Sequence, residues 1–221
     1  MLSENEYIEF LTDGHVVTDG SYEVSEKCLT TKVVPYYLPI GNSRERKFQE
    51  PRYIVIHETS IGIEKAPLYK NMEYYTNKLM NDKDNVVAYH YLCSDDKIIQ
   101  FIPDFEVAYH SGTKLNYRSI GIERLVNEAV NFPEALHNQA KLTATLMYKW
   151  GIPLRRVITH KNARIAVEAI PKECPARMLD FQYGGEDAFL REVVYCIRNK
   201  DFFSDVLNVS LTVVEESKKR K

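Results

Sequence analysis

Hydrophobic and polar positions divide the chain into three stretches. Up to about residue 50 they follow no period: Thr-Asp-Gly turns recur at Thr12–Gly14 and Thr18–Gly20, and the polar run NSRERKFQE follows. A short hairpin around HVVTDGSYEV is the element this stretch suggests. From Tyr53 the pattern sharpens. YIVIH (Tyr53–His57) is a continuous β-branched run, which marks a strand buried on both faces. Leu68, Met72, Tyr75 and Leu79 then recur at helical spacing. VVAYHYLC, the turn SDDK and IIQFI read as a hairpin, and EVAYH and SIGIE as two further short strands. Pro133 to Trp150 is helical, with Pro133 in its first turn and Gly151 as its stop. RVITH (Arg156–His160) repeats the strand-then-histidine pattern of YIVIH. A last helix runs from about Glu186 to Asn199, with Phe189, Leu190, Val193, Val194 and Ile197 on one face and charges that suit its dipole. The remaining stretch, DFFSDVLNVSLTVVEESKKRK, has a strand-like alternating piece and a basic end, and reads as an extra edge strand or a linker stub. The order is α/β: a central mixed β-sheet flanked by helices.

Composition narrows the class. The chain has 221 residues, 44% hydrophobic and 27% charged, which suits one globular domain with short extensions. Its 29 basic residues nearly balance 31 acidic ones, so no global field draws it to nucleic acid or an anionic membrane. No stretch of about 18 apolar residues occurs, so no transmembrane segment is expected. MLSENEYIEF lacks the basic and apolar regions of a signal peptide, and synthesis in the cytoplasm is expected. Four cysteines make no dense disulfide framework. Cys28, Cys93 and Cys196 read as ordinary thiols, Cys196 within a helical core pattern.

Three residues stand out as candidate chemistry. His57 and His160 each end a buried strand, where open α/β sheets place their sites. Cys174 sits in the polar loop AIPKECPARM, fourteen positions after His160. Each histidine alone fits a packing role, and Cys174 alone fits a surface thiol, a disulfide half, a nucleophile or a metal ligand. Two imidazoles and one thiolate are a zinc ligand set that leaves a fourth position open. The long, irregular spacing does not decide between that set and a cysteine nucleophile with His160 as its base. Glu123, ending SIGIE, is a carboxylate at a third strand end and fits a general base or a surface glutamate.

Six motifs in order, IVIHET, AYHY, EVAYHSG, SIGIE, ITHKNA and KECPARM, resemble the zinc-dependent N-acetylmuramoyl-L-alanine amidases, a family of phage endolysins and autolysins related to the peptidoglycan-recognition proteins. The resemblance covers roughly Tyr53 to Arg198 and implies the amidase-like fold. It implies a zinc amidase catalytic domain at 51–199; residues 1–50 and 200–221 have no clear counterpart in it and read from their own pattern as an accessory segment and a tail or linker stub. It implies one zinc ion on His57, His160 and Cys174, with Glu123 as catalytic carboxylate and Lys172 and Tyr89 beside the reacting carbonyl. His110 matches a histidine near the family's groove and is expected to contact substrate. His90, alternating with Tyr89, is expected to be structural, while His15 and His137 match nothing and are expected to be exposed. The implied substrate is peptidoglycan, glycan strand and stem peptide together, reached after holin-type release or cell lysis. Arg124 to Asn127 departs from the small or cysteine-containing pair that follows the glutamate in many relatives. Two rivals stay open. A module that binds peptidoglycan without cutting it would release no amino groups from L-alanine. A cysteine hydrolase would survive chelators and die with thiol alkylators.

Overall fold

The β-branched run around Val55 becomes an inner strand of a six-stranded sheet in the computed structural model, which describes residues 2–20, 22, 25–26, 30–41, 43–59, 71–82, 84, 86–180 and 184–207. In chain order the elements are α1 (Glu4–Thr12), β1 (Val33–Pro35), β2 (Tyr53–Glu58), α2 (Met72–Asn81), β3 (Tyr91–Cys93), β4 (Ile98–Gln100), β5 (Ser119–Arg124), α3 (Phe132–Trp150), β6 (Val157–Thr159), α4 (His160–Ile165), α5 (Gly185–Arg198) and α6 (Ser204–Leu207). The strand order is β1-β4-β3-β5-β2-β6. Among the strand pairs of the described residues only β3–β4 is antiparallel, so the sheet is mixed. Because β2 lies between β5 and β6 and is covered above and below, its continuous apolar run is what that place demands.

Register sorts the residues by face. β2 pairs with β5 so that Ile54 meets Ile120, Ile56 meets Ile122, His57 meets Glu123 and Glu58 meets Arg124. Successive side chains alternate. Ile54, Ile56, Ile120 and Ile122 therefore face one core, with Leu136 and Ala140 of α3 and Phe189 and Val193 of α5. A second cluster, including Leu79, Tyr89, Leu92 and Phe101, covers the other side. α3 starts on Asn131, whose side chain accepts from the Glu134 N–H, and stops at Gly151, whose φ of 63° is the left-handed conformation that favours glycine. The segment before residue 51, read from sequence as accessory, packs α1 on α5 and adds β1 beside β4. Arg198 of α5 ties this junction, donating to Glu9 and to the His15 carbonyl.

Several expectations change. EVAYH is no strand. Glu106 makes a single bridge to Phe48, and residues 107–110 are irregular. Both edges of β5 are taken by β2 and β3, so the segment instead crosses the sheet face and lays the His110 ring on Gly121. VVAYHYLC contributes only Tyr91–Cys93 to the sheet. His160 does not end a strand: Thr159 caps α4 by accepting the Asn162 N–H at 3.1 Å, and His160 is its first residue. His137, expected exposed, is buried, because α3 is covered on both sides and this residue meets Glu192 of α5 at 2.7 Å. His15 is exposed as expected. No strand forms over residues 15–20, and the rest of the suggested hairpin, apart from Tyr22, lies outside the described residues. So do Leu68, Cys28 and the alternating piece of the tail beyond Leu207.

Candidate metal centre

β2, the start of α4 and the loop before Met178 bring His57, His160 and Cys174 together, with their donor atoms all within 4.8 Å of one another. His57 Nδ1 lies 3.1 Å from His160 Nδ1 and 3.9 Å from Cys174 Sγ. All three side chains are buried.

The surrounding hydrogen bonds fix the tautomers. Ser119 Oγ–H donates to the Leu115 carbonyl at 2.7 Å, so this oxygen accepts from His110 Nε2–H at 3.2 Å. His110 Nδ1 then carries a lone pair and accepts His57 Nε2–H at 2.9 Å. His57 is left with a bare Nδ1. His160 Nε2–H donates to the Ser111 carbonyl at 3.1 Å, which leaves its Nδ1 bare as well. Two nitrogen lone pairs thus face each other with a sulfur beside them. That arrangement is repulsive unless a cation or proton lies between, and it fits a metal bound through Nδ1, Nδ1 and Sγ.

Electrostatics favour the neutral rings that ligation needs. Burial, then His110, His160 and the Lys172 charge, holds His57 well below the ordinary imidazole value. Burial, with Lys172 and Arg164, pushes His160 down to about 4 despite its bond to Ser111. Burial, then the Glu123 carboxylate, raises the Cys174 thiol, so this sulfur is a poor thiolate without a cation beside it. A bare Cys174 nucleophile is disfavoured on the same ground. Burial and the Glu58 carboxylate, opposed by Arg124, push Glu123 up to about 8. A dication in the donor set would pull both groups back toward the charged form.

The other expected residues surround this centre unequally. Glu123 Oε1 is 3.9 Å from His57 Nδ1, and its Oε2 is buried without a hydrogen-bond partner among the described residues. Tyr89 packs against Phe101; its hydroxyl, also buried and without a partner among the described residues, lies within the field of Glu123. Lys172 is exposed, and its charge reaches both imidazoles. His110 lies behind His57, 7% exposed, with both ring nitrogens held inside the protein. His90 is buried and structural: its Nδ1 accepts the Gly121 N–H at 3.0 Å, and its Nε2–H donates to the Glu106 carbonyl at 2.9 Å.

Sequence reasoning passed over Ser111, Ser119 and Gly121, which set the histidine tautomers and seat His110. It also passed over Glu58, and it noted Arg124 as a departure without pairing the two; each lies one position after a site residue and therefore on the opposite face. Opposite charges at matched positions of two buried strands were the available signal.

Comparison with known proteins places residues 47–177 in the family described as N-acetylmuramoyl-L-alanine amidase. That span contains His57, Glu123, His160 and Cys174. The curated N-acetylmuramoyl-L-alanine amidase XlyA of Bacillus subtilis (strain 168) is 30% identical over 152 residues, covering 67% of this chain and 48% of XlyA. CwlH of the same organism is 29% identical over 149 residues, covering 65% and 55%. The chain therefore spans about half the length of these relatives. Among solved structures, the catalytic domain of XlyA superposes with a TM-score of 0.62 at 28% identity, over 73% of this chain and 99% of that one. A mutant endolysin from Bacillus subtilis gives 0.62 at 27% identity, over 74% and 99%.

Proposed function

Because the chain belongs to the N-acetylmuramoyl-L-alanine amidase family, we propose that it hydrolyses the amide between N-acetylmuramic acid and L-alanine in peptidoglycan, using one zinc ion held by His57, His160 and Cys174. The observation that carries this reading is the pair of bare Nδ1 atoms, 3.1 Å apart beside Cys174 Sγ. The chemistry zinc supplies when bound is polarisation of the scissile carbonyl and acidification of water.

The protein's own residues do the rest. Glu123 accepts a proton from water as its oxygen attacks the carbonyl carbon, then delivers that proton to the L-alanine nitrogen as the C–N bond breaks. One carboxylate therefore serves as base and then acid, and ends in the state in which it began. Tyr89, whose hydroxyl has no partner among the described residues, and Lys172, whose charge reaches the site, oppose the negative charge developing on the carbonyl oxygen. His110 acts from behind by holding the His57 ring. In this reading residues 51–199 are the catalytic unit, and residues 1–50 and 200–221 are additions to it. The biological setting that fits is an endolysin, reaching the wall after holin-type release or lysis. No helix among the described residues is long and apolar enough to cross a membrane.

Digestion of purified peptidoglycan with and without chelator, followed by mass spectrometry, tests the proposal. Free stem peptides beginning in L-alanine, lost on chelation and restored by zinc, are expected. Cleavage at another bond, or cleavage that survives chelation and stops on thiol alkylation, overturns it.

A further inference from the structure

The face of β2 and β5 turned away from the metal centre carries a second polar cluster. Glu58 and Arg124 are lateral neighbours in the sheet, and both side chains are fully buried. Arg124 Nη2 donates to Glu58 Oε2 at 2.6 Å, and Arg124 Nη1 donates to Gln139 Oε1 at 2.9 Å. Gln139 Nε2 closes the network by donating to the His57 and Ile122 carbonyls, each at 3.1 Å. Glu58 Oε1 accepts the backbone N–H of Arg177 at 2.6 Å, three residues after Cys174.

That last bond matters because the Cys174 loop belongs to neither the sheet nor a long helix. Its backbone ties near the cysteine are the Lys161 N–H to the Cys174 carbonyl, at 3.0 Å, and the local Cys174 N–H to the Lys172 carbonyl, at 2.9 Å. His57 and His160 are set by their elements; Cys174 is set by how this loop docks. We propose that the Glu58–Arg124 pair is a positioning device for the third ligand: Glu58 clamps the loop to β2, and Arg124 compensates the buried carboxylate that does so. A buried charge-assisted bond of this kind is strong only while both charges are present. Gln139 links the clamp to the backbone of His57, so one network registers two of the three ligands. The proposal rests on the reading of His57, His160 and Cys174 as a zinc site.

A double-mutant cycle on the full chain tests it, with zinc affinity read by chelator competition. Glu58→Gln keeps size but turns an amide toward Arg124 or toward the Arg177 N–H. It should weaken zinc by 10- to 100-fold, the usual range for residues that orient ligands. In a Cys174→Ala background the same change should cost less than threefold, because the ligand it positions is gone. Arg124→Lys, which keeps the cation, should hold zinc within about threefold to tenfold of wild type while Arg124→Met does not. Cobalt loading should show a weakened thiolate-to-metal absorption in Glu58→Gln. Equal loss in both backgrounds, or no loss in either, overturns the clamp. If Glu58→Gln fails to fold, the Arg124→Lys and Arg124→Met comparison, repeated with Cys174→Ala, decides by the same criterion. A wild-type chain that takes up no zinc would instead overturn the site reading, and the clamp with it.

Discussion

Gly121 gives the sharpest test of how the metal centre is held. It lies on β5 between Ile120 and Ile122, and a Cβ placed there would come within 2.5 Å of His110 Cγ and 2.7 Å of its Cδ2 and Nδ1. Ordinary contact begins near 3.4 Å, so Gly121→Ala requires the ring to retreat by about 1 Å. His110 cannot retreat freely, being pinned between His57 Nε2 at 2.9 Å and Ser119 Oγ at 3.2 Å. Moving the ring breaks one or both bonds. Overpacking of this kind costs about 1 to 3 kcal/mol of stability. The metal loses more than that number suggests, because a His57 ring released from His110 can place its proton on Nδ1, where the lone pair is needed. Zinc affinity should fall by about 10- to 100-fold, the range for residues that orient metal ligands. Urea unfolding of the chelated protein reads the packing cost alone; chelator competition on the folded protein reads the affinity. Ser119→Ala is the companion, since it removes the acceptor for His110 Nε2–H without adding an atom, and it should lower affinity with little overpacking. Gly121→Ala and Ser119→Ala variants that both bind zinc within twofold of wild type would refute the relay from Ser119 through His110 to His57.

Glu123→Gln should take up zinc as wild type does and lose at least about 100-fold in turnover, the lower end of what a general base contributes; turnover within tenfold of wild type would remove Glu123 from the proton transfers. Cys174→Ser should lower zinc retention, measured as metal per chain after dialysis, and one tightly held equivalent would show that Cys174 is not a ligand. His90 makes stability depend on acid: burial pushes it down to about 4 from the ordinary 6.5, so below pH 6.5 the unfolded chain takes a proton that the folded chain refuses. Stability is therefore full above about pH 6.5 and falls by up to about 3 kcal/mol as the pH drops toward 4. The difference in unfolding free energy between wild type and His90→Gln should shrink over that window, and a difference that does not change with pH would contradict the assignment.

Much of this site was readable because strands carry a rigid period. Once YIVIH and SIGIE are strands, His57 and Glu123 stand at their ends by counting, and the register that sets them side by side follows from parallel pairing of two runs of equal length. The helix from Phe132 to Trp150 was legible for a similar reason: proline, periodicity and a terminal glycine agree. EVAYH misled because alternation reports a surface that is half buried and says nothing about whether an edge is free to pair. With β5 occupied on both sides, the segment had no partner, and its histidine met the sheet through a glycine instead. RVITH misled differently. Thr159 ends β6 and caps α4 at once, accepting the Asn162 N–H, so His160 opens the helix instead of closing the strand. His137 was misplaced because exposure depends on what covers a helix, and α5 covers this one at 55 residues' remove.

The two faces of β2 show why the residues next to a site are harder to read than the site. His57 and Glu58 are neighbours in sequence, yet one points to the metal centre and the other into the core beneath α3. A zinc reading explains His57 and leaves Glu58 as a buried carboxylate without a reason. The reason lies 66 residues on, at Arg124, and 119 residues on, at the Arg177 N–H. Neither distance is visible in a local pattern. The constraint itself is elementary: an acid buried in a sheet needs a cation and a donor, so the sequence around it must supply both. Here the cation stands directly after Glu123, where the family resemblance leads one to expect a small or cysteine-containing apolar pair. Arg124 and Glu58 are thus one feature, a buried ion pair, and a double replacement by apolar residues of similar volume should keep fold stability while losing the hold on Cys174.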